Sequence, residues 1–296
     1  MKKEYLMAGF TIFCWATMAP ISKLLLSEMS NMLTLSYVTA IASLSLLAVI
    51  FVAGQYRQFR NYTTTDYVQL FLIGAVGYFL YSALYYYGLS ELSAQTACIL
   101  NYLWPIFTAC LSAVLLKEWL SLPKLVALVL SFFGVVIVVM QPGGGQGSGA
   151  NRLLGYLCCI LAAAMYAVFN VLNKKRGGNQ LINMFVYIGS GAVLSALCCL
   201  KSGYILPTWQ QIPGLLWSGV FINAVGFLLW AMALQESNTT SIANFAYITP
   251  GLSILLSGWW LKEPIYWHSV LGLALILGGF FLQMLLEHRV AEKGDV

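Results

Sequence analysis

The chain has 296 residues, of which 60% are hydrophobic and only 8% are charged, and its mean hydropathy is +0.81. Soluble domains carry roughly 25% charged residues, so this composition excludes a water-soluble fold and predicts an integral membrane protein. The net charge of +5 does not indicate nucleic-acid binding, because the sequence has no run of basic residues with interleaved aromatic residues to grip phosphates.

Ten apolar stretches are long enough to cross a bilayer as α-helices, which takes about 20 residues at about 1.5 Å of rise per residue. Five precede a glycine-rich segment at 143–149, and five follow it. We predict transmembrane helices over Tyr5–Leu25, Met32–Gly54, Asp66–Gly88, Ser93–Leu116, Leu122–Met140, Leu153–Asn173, Leu181–Leu200, Gln211–Leu234, Thr240–Leu261 and His268–Leu286. The expected fold class is an all-α membrane protein with ten transmembrane helices.

The distribution of basic residues predicts the orientation of these helices. If the N-terminus lies in the cytoplasm, eleven of the 15 Lys and Arg residues fall on cytoplasmic segments, and four fall on outer ones: Lys23, Arg152, Lys201 and Lys262. Basic residues concentrate in cytoplasmic loops, so both termini are expected in the cytoplasm. The expected location is the cell inner membrane, which the chain crosses many times.

The two sets of five helices resemble each other. A shift of 145 residues places Leu89-x-Glu91 on Leu234-x-Glu236, Tyr102-x-x-Pro105 on Tyr247-x-x-Pro250, and Leu116-Lys117-Glu118 on Leu261-Lys262-Glu263. Near the first spans the shift is 151 residues, which pairs Trp15 with Tyr166 and Lys23 with Lys174. Because five is odd, the second set enters the membrane from the opposite face. We therefore predict an inverted repeat, an architecture of alternating-access transporters.

The repeat also predicts the domain boundaries. A first five-helix repeat covers 1–141, a glycine-rich linker covers 142–151, a second repeat covers 152–288, and a cytoplasmic tail covers 289–296.

The placement of acidic residues argues against several classes of function. All 10 Asp and Glu residues lie at span ends or in loops, whereas a carboxylate near the midplane usually marks an ion or proton path. Both His residues lie at membrane edges, and the seven Cys residues fall in apolar stretches without metal-ligand spacing. We expect no enzyme activity, no catalytic residue, no metal and no cofactor.

The predicted interior is rich in aromatic rings and amides instead. Tyr81 and Tyr85 lie on one face of the third span, where they line either a cavity or an interfacial belt. The fourth span carries Asn101, Tyr102 and Trp104 in a row. Further candidates for substrate binding are Tyr166 and Asn170 in span six, Asn223 and Trp230 in span eight, and Tyr247 in span nine. The amides have an alternative role, since they often join neighbouring helices.

Three prolines stand near these candidates. Proline lacks an N–H, so Pro20, Pro105 and Pro250 each leave the carbonyl four residues earlier without its helical donor. These positions are candidates for gating and for polar contacts deep in the membrane. The alternative is that each proline only kinks its helix.

These motifs resemble those of the drug/metabolite transporter superfamily in its EamA-type, ten-helix form, and within it the YddG-type aromatic amino-acid exporters. The most specific matches are Asn101-Tyr102-Leu103-Trp104-Pro105, the stretch Tyr166–Lys174, and Tyr247-x-Thr249-Pro250. The resemblance implies a basket of helices around a cavity lined here by Tyr81, Tyr85, Tyr102, Trp104 and Tyr166. Tyr166 departs from the family pattern, which has Trp, and this difference is expected to change substrate preference.

The expected function is export of neutral or zwitterionic metabolites, above all aromatic and bulky apolar amino acids, by alternating access. Partners are then a small-molecule substrate and the lipid bilayer, with no nucleic acid and no obligate protein partner. An exporter of hydrophobic drugs is an alternative with the same cavity, and a membrane receptor or scaffold that moves nothing is an alternative of another class. The sequence has no acidic residue near the membrane midplane, so two modes of energy coupling stay open. One is facilitated diffusion, and the other is a proton route through Tyr, Asn and water.

Overall fold

The computed structural model describes residues 3–115, 122–140, 149–200, 203–236 and 248–294, and all regular structure within these ranges is helical. The α-helices are α1 (Lys3–Ala16), α2 (Met18–Leu26), α3 (Asn31–Val52), α4 (Thr64–Ile73), α5 (Leu80–Glu91), α6 (Ala94–Asn101), α7 (Trp104–Leu115), α8 (Leu122–Val139), α9 (Gly149–Arg176), α10 (Gln180–Cys199), α11 (Ile212–Leu216), α12 (Phe227–Glu236), α13 (Ile248–Trp260) and α14 (Trp267–Gly294). A 3₁₀ helix covers Gln55–Asn61, and π-helical segments cover Gly74–Phe79 and Trp217–Gly226.

Six helical segments in the described part of the chain are long and apolar enough to cross a membrane: Leu6–Leu26, Asn31–Val52, Thr64–Glu91, Asn151–Arg176, Gln180–Cys199 and Ile212–Trp230. The predicted all-helical membrane fold is confirmed. Shorter apolar helices, Val129–Val139 and Trp267–Gly279, overlap the predicted fifth and tenth spans. The total of ten spans and the side on which the termini lie stay predictions.

Helix boundaries differ from the predicted ones for identifiable reasons. α4 begins at Thr64 because Thr63 and Asp66 form a reciprocal capping box: the Asp66 N–H donates to Thr63 Oγ1 and the Thr63 N–H donates to Asp66 Oδ2. α9 begins at Gly149, inside the predicted linker, and α14 continues through the predicted tail as far as Gly294.

Pro105 lies at the start of a helix, whereas Pro20 kinks a helix that continues through it. The first span, Leu6–Leu26, is one helical segment that is irregular at Thr17, where α1 meets α2, and Pro20 is the third residue of α2. The fourth span breaks after Asn101, and Pro105 is the second residue of α7, while Pro250 is the third residue of α13. In the first turn of a helix the missing N–H has no intrahelical partner to lose, so proline fits there without cost.

Helix pairs pack across the bundle in a regular way. α3 runs along α10 and α8 runs along α14, while α5 packs on α9 as α1 packs on α12. Small residues permit the closest of these approaches: a Cβ added to Gly134 of α8 would lie 2.7 Å from the carbonyl oxygen of Gly272 in α14. The core contains fully buried aromatic rings, among them Tyr78, Tyr85 and Phe169.

Candidate functional site

A small cavity lies where the junction of α1 and α2, the break between α6 and α7 and the first described turn of α13 meet. It is lined by Trp15, Met18, Ala19, Tyr81, Tyr85, Cys98, Asn101, Tyr102, Trp104, Tyr166, Phe227 and Thr249. Trp15 and Met18 flank the junction of α1 and α2, and Tyr102 lies in the break between α6 and α7. Thr249 belongs to the first described turn of α13. The prolines lie close to these three positions, although none of them lines the cavity.

The cavity is contracted in this conformation. Its volume is ≈ 40 Å³, which holds only a few water molecules. Pockets that enclose small ligands measure about 300–1,000 Å³. A molecule larger than a few waters therefore enters only when the rings around the cavity move apart.

Tyr166 is the centre of the ring cluster. Its ring centroid lies 4.8 Å from that of Tyr81, 5.2 Å from that of Trp104 and 6.3 Å from that of Phe227. The Trp104 and Phe227 rings meet it edge-on, at interplanar angles of 82° and 88°, which is a preferred arrangement for aromatic pairs. Tyr81 also stacks on Tyr85 at 6.1 Å with the planes 17° apart. Flat ring faces thus dominate the wall of the cavity.

The polar groups of the wall are neutral. None of the lining residues described by the structure carries a charge. Asn101 is 9% exposed, and its Nδ2 donates a 3.5 Å hydrogen bond to the Tyr81 hydroxyl. Its Oδ1 has no hydrogen-bond partner among the described residues. A buried acceptor without a partner is costly, so this oxygen is suited to a donor supplied by a ligand.

The structure brings six of the ten predicted binding residues to this wall: Tyr81, Tyr85, Asn101, Tyr102, Trp104 and Tyr166. Asn170 lies one turn after Tyr166 on α9, away from the cavity lining, and its Nδ2 is buried without a partner among the described residues. Trp230 lies behind the wall, with its ring centroid 5.2 Å from that of Trp15. Tyr247 lies outside the described residues.

Asn223 joins two helices and does not line the cavity. The Tyr78 hydroxyl donates to Asn223 Oδ1 at 2.7 Å, and Asn223 Nδ2 donates to the carbonyl oxygen of Ser218 at 2.8 Å. Both polar ends of the amide are therefore satisfied inside the protein. Asn223 therefore has the alternative role given for the amides above: it links neighbouring helices.

Tyr78→Phe is expected to destabilise the protein by about 1–3 kcal/mol, because the variant leaves the buried Asn223 Oδ1 without its donor. Thermal unfolding in detergent measures this loss. Tyr37→Phe is the matched control, since the Tyr37 hydroxyl donates to the Ile205 carbonyl oxygen at an exposed site and its loss is expected to cost less than about 0.5 kcal/mol. Equal stability of the Tyr78→Phe variant and the wild type would contradict the role of this pair.

Six lining residues were absent from the sequence-based set: Trp15, Met18, Ala19, Cys98, Phe227 and Thr249. The internal repeat contains a signal for three of them. A shift of 151 pairs Trp15 with Tyr166 and Ala19 with Asn170, and a shift of 145 pairs Thr249 with Trp104. Phe227 has no such signal, because its counterpart under the same shift is Ser82.

Comparisons with known proteins place the whole chain among transporters. The model of the EamA-like transporter family matches residues 2–140 and 153–285. An uncharacterized transporter of Clostridium kluyveri is 25% identical over 287 residues, covering 94% of this chain and 92% of the relative. The uncharacterized transporter YetK of Bacillus subtilis is 24% identical over 275 residues, covering 91% and 83%. One solved crystal structure superposes with a TM-score of 0.69 at 22% identity, covering 97% of this chain and 98% of that one, and it supports the fold alone.

Proposed function

The chain belongs to the EamA-like transporter family, and on this premise we propose that it exports small neutral or zwitterionic metabolites across the inner membrane. Aromatic and bulky apolar amino acids are the preferred substrates. Transport proceeds by alternating access, in which the two five-helix repeats rock about the central cavity.

The observation that carries this proposal is an uncharged cavity walled by aromatic rings. Ring faces such as those of Tyr81, Trp104 and Tyr166 stack on an aromatic side chain. Asn101 Oδ1 accepts a hydrogen bond from the ammonium group of a zwitterion. α7 begins at the cavity, at Trp104, and the positive end of its dipole attracts the carboxylate. No fixed charge is then needed to hold a zwitterion.

The packing of helices supports the inverted repeat on which alternating access depends. α3 and α10 are repeat counterparts and pack on each other, as do the counterparts α8 and α14. The two π-helical segments, Gly74–Phe79 and Trp217–Gly226, overlap under the 145-residue shift. Tyr78 and Asn223, which share a hydrogen bond, are 145 residues apart. Two equivalent residues in contact are expected at a pseudo-two-fold axis. We therefore retain ten spans in two inverted repeats at 1–141 and 152–288, with both termini cytoplasmic.

Flux in vesicles that contain only this protein tests the proposal. Labelled phenylalanine is expected to equilibrate faster than in protein-free vesicles, with competition by unlabelled tryptophan but not by lysine or glutamate. Competition by tetraphenylphosphonium and not by amino acids would favour a hydrophobic-drug exporter instead.

A binding measurement in detergent supplies an independent readout. A ligand that binds only the folded state raises its stability, by about 2.7 kcal/mol at a concentration 100 times the Kd. Phenylalanine is therefore expected to raise the unfolding temperature, and lysine is not. Absence of both flux and stabilisation with phenylalanine would contradict the proposed substrate class.

A further inference from the structure

A second cavity, which we name the lateral pocket, lies apart from the central one. Its wall is formed by residues within 21–28 of α2 and the turn after it, by residues within 210–217 around α11, and by Trp260 at the end of α13. It shares no lining residue with the central cavity, and its volume is ≈ 460 Å³. Pockets that enclose small ligands measure about 300–1,000 Å³. The lateral pocket is therefore large enough for a ligand in this conformation, whereas the central cavity is not.

The polar lining residues of the lateral pocket lie where membrane-crossing segments end. Ser27 and Glu28 directly follow α2, the last part of the first such segment. Gln210 and Gln211 directly precede α11, which begins the segment Ile212–Trp230. The ends of apolar spans lie at the surface of the hydrocarbon layer, beside the lipid headgroups. One end of the pocket is therefore polar and lies at the level of the headgroups.

The apolar lining residues lie deeper in the membrane. Leu24 precedes Glu28 by four residues, and Trp217 follows Gln211 by six. At about 1.5 Å of rise per residue, these side chains start about 6–9 Å below the polar end. Leu24 is 51% exposed and Trp260 is 39% exposed, so the pocket opens to the side of the helix bundle, where the acyl chains of a bilayer lie. A polar end at the surface and an apolar, open body below it are suited to an amphiphile.

Glu28 gives the lateral pocket one oriented carboxylate. Gln211 Nε2 donates to Glu28 Oε2 at 3.0 Å, and Gln211 is only 8% exposed. Gln211 Oε1 accepts a hydrogen bond from the Thr208 backbone N–H at 3.0 Å, which fixes the amide from its other side. Among the residues that the structure describes, no Lys, Arg or His forms an ion pair with Glu28. The carboxylate is therefore held in place without a cationic partner, and it is suited to a cation supplied by a ligand.

The other lining residues favour an ammonium headgroup over an anionic one. None of them is Lys, Arg or His, so an anionic headgroup would meet the Glu28 carboxylate without a compensating positive charge. Trp217 and Trp260 line the pocket, and indole rings attract ammonium groups and are enriched at membrane surfaces. Trp217 Nε1 donates to Thr17 Oγ1 at 2.8 Å, which holds this ring in place. The ligand class that fits is an amphiphile whose head carries an ammonium group.

We propose that the lateral pocket is a binding site for phosphatidylethanolamine. The ammonium group of this lipid binds Glu28, the Gln210 amide donates to its phosphate, and an acyl chain leaves the pocket past Leu24. Phosphatidylglycerol has the same phosphate and acyl chains but no ammonium group, so it leaves Glu28 unpaired. The pocket joins α2 in the first half of the chain to α11 and α13 in the second half. The bound lipid therefore stabilises the packing of the two halves, whatever the transported substrate is.

The lipid preference of the purified chain tests the proposal. Delipidated protein in detergent is mixed with equal amounts of dioleoyl phosphatidylethanolamine and dioleoyl phosphatidylglycerol, and native mass spectrometry measures the ratio of the bound lipids. The wild type is expected to prefer phosphatidylethanolamine by about tenfold, as for one hydrogen bond between charged groups. Glu28→Gln is expected to remove this preference, and Glu28→Lys is expected to reverse it. Glu28 is exposed, so both variants are expected to fold.

A matched control and a soluble headgroup show whether the effect belongs to a lipid in this pocket. Glu91→Gln removes a carboxylate at the end of α5 that does not line the pocket, and it is expected to keep the wild-type ratio. Phosphatidylethanolamine is expected to raise the unfolding temperature of the wild type, and glycerophosphoethanolamine, which lacks acyl chains, is not.

Three results would overturn the proposal. The first is equal retention of the two lipids by the wild type, and the second is a wild-type ratio in the Glu28→Lys variant. The third is equal stabilisation by glycerophosphoethanolamine and by the lipid, which would assign the pocket to a soluble ammonium compound. None of these measurements uses flux, so the proposed transport of phenylalanine and the lipid site are accepted or rejected separately.

Discussion

Trp104→Ala is expected to lower phenylalanine flux at subsaturating substrate by about 30-fold. Trp104 begins α7, lines the cavity and meets the Tyr166 ring edge-on at 5.2 Å. Removing the indole deletes one ring face of the wall and lets water occupy the space beside Tyr166. Loss of about 2 kcal/mol of apolar and ring contact with the substrate corresponds to about 30-fold in transport efficiency.

Two further variants show whether the effect belongs to the ring. Trp104→Phe keeps a ring face at the same position and is expected to retain most of the flux. Trp259→Ala removes an indole that is 74% exposed and does not line the cavity, so flux is expected to stay at the wild-type level. Unchanged flux in the Trp104→Ala variant, in protein that remains folded, would remove Trp104 from the transport path.

The cavity wall could be predicted where amide, aromatic and proline residues interrupt an apolar helix. In an apolar helix, the run Asn101-Tyr102-Leu103-Trp104-Pro105 combines an amide, two rings and a proline, and three of its residues line the cavity. Met18 and Phe227 line it as well, but they resemble the apolar residues around them. A membrane helix is apolar on its lipid face and its inner face alike, so periodicity does not show which face a Phe or Met occupies.

Polar residues were harder to place because their surroundings come from distant parts of the chain. Asn223 looks the same in sequence whether it faces a cavity or a partner, and its partner Tyr78 is 145 residues away. Lys23 was counted among the residues of an outer loop, yet it is buried in α2. Lys23 Nζ donates hydrogen bonds to the carbonyl oxygens of Leu89 and Leu92 at the end of α5, and these partners cannot be predicted before the helices pack.

Gly74→Ala is expected to destabilise the protein by about 2 kcal/mol and to lower its unfolding temperature by about 4–8 °C. Gly74 begins the first π-helical segment, which packs on α10. An added Cβ would lie 2.7 Å from Tyr187 Cα and 2.8 Å from the Tyr187 carbonyl oxygen, and it would also clash with Ser190 Oγ. A serine hydroxyl can turn away, but the backbone of α10 cannot, so the two helices must separate.

Alanine at two other glycines gives stability changes with which the Gly74→Ala variant is compared. Gly219 follows Gly74 by 145 residues and packs on α3, where an added Cβ would lie 2.6 Å from Cγ2 and 2.7 Å from Cβ of Ile41. Ile41 Cβ is fixed by the backbone and does not move when the rotamer changes, and the Val38 carbonyl oxygen would lie 3.0 Å away, so Gly219→Ala is expected to cost about as much as Gly74→Ala. Gly278→Ala, in α14, meets no atom within 4 Å and is expected to leave the unfolding temperature unchanged or slightly raised. Melting curves of the three variants in detergent check this order, and a Gly74→Ala variant as stable as Gly278→Ala would show that the first π-helical segment does not approach α10 this closely.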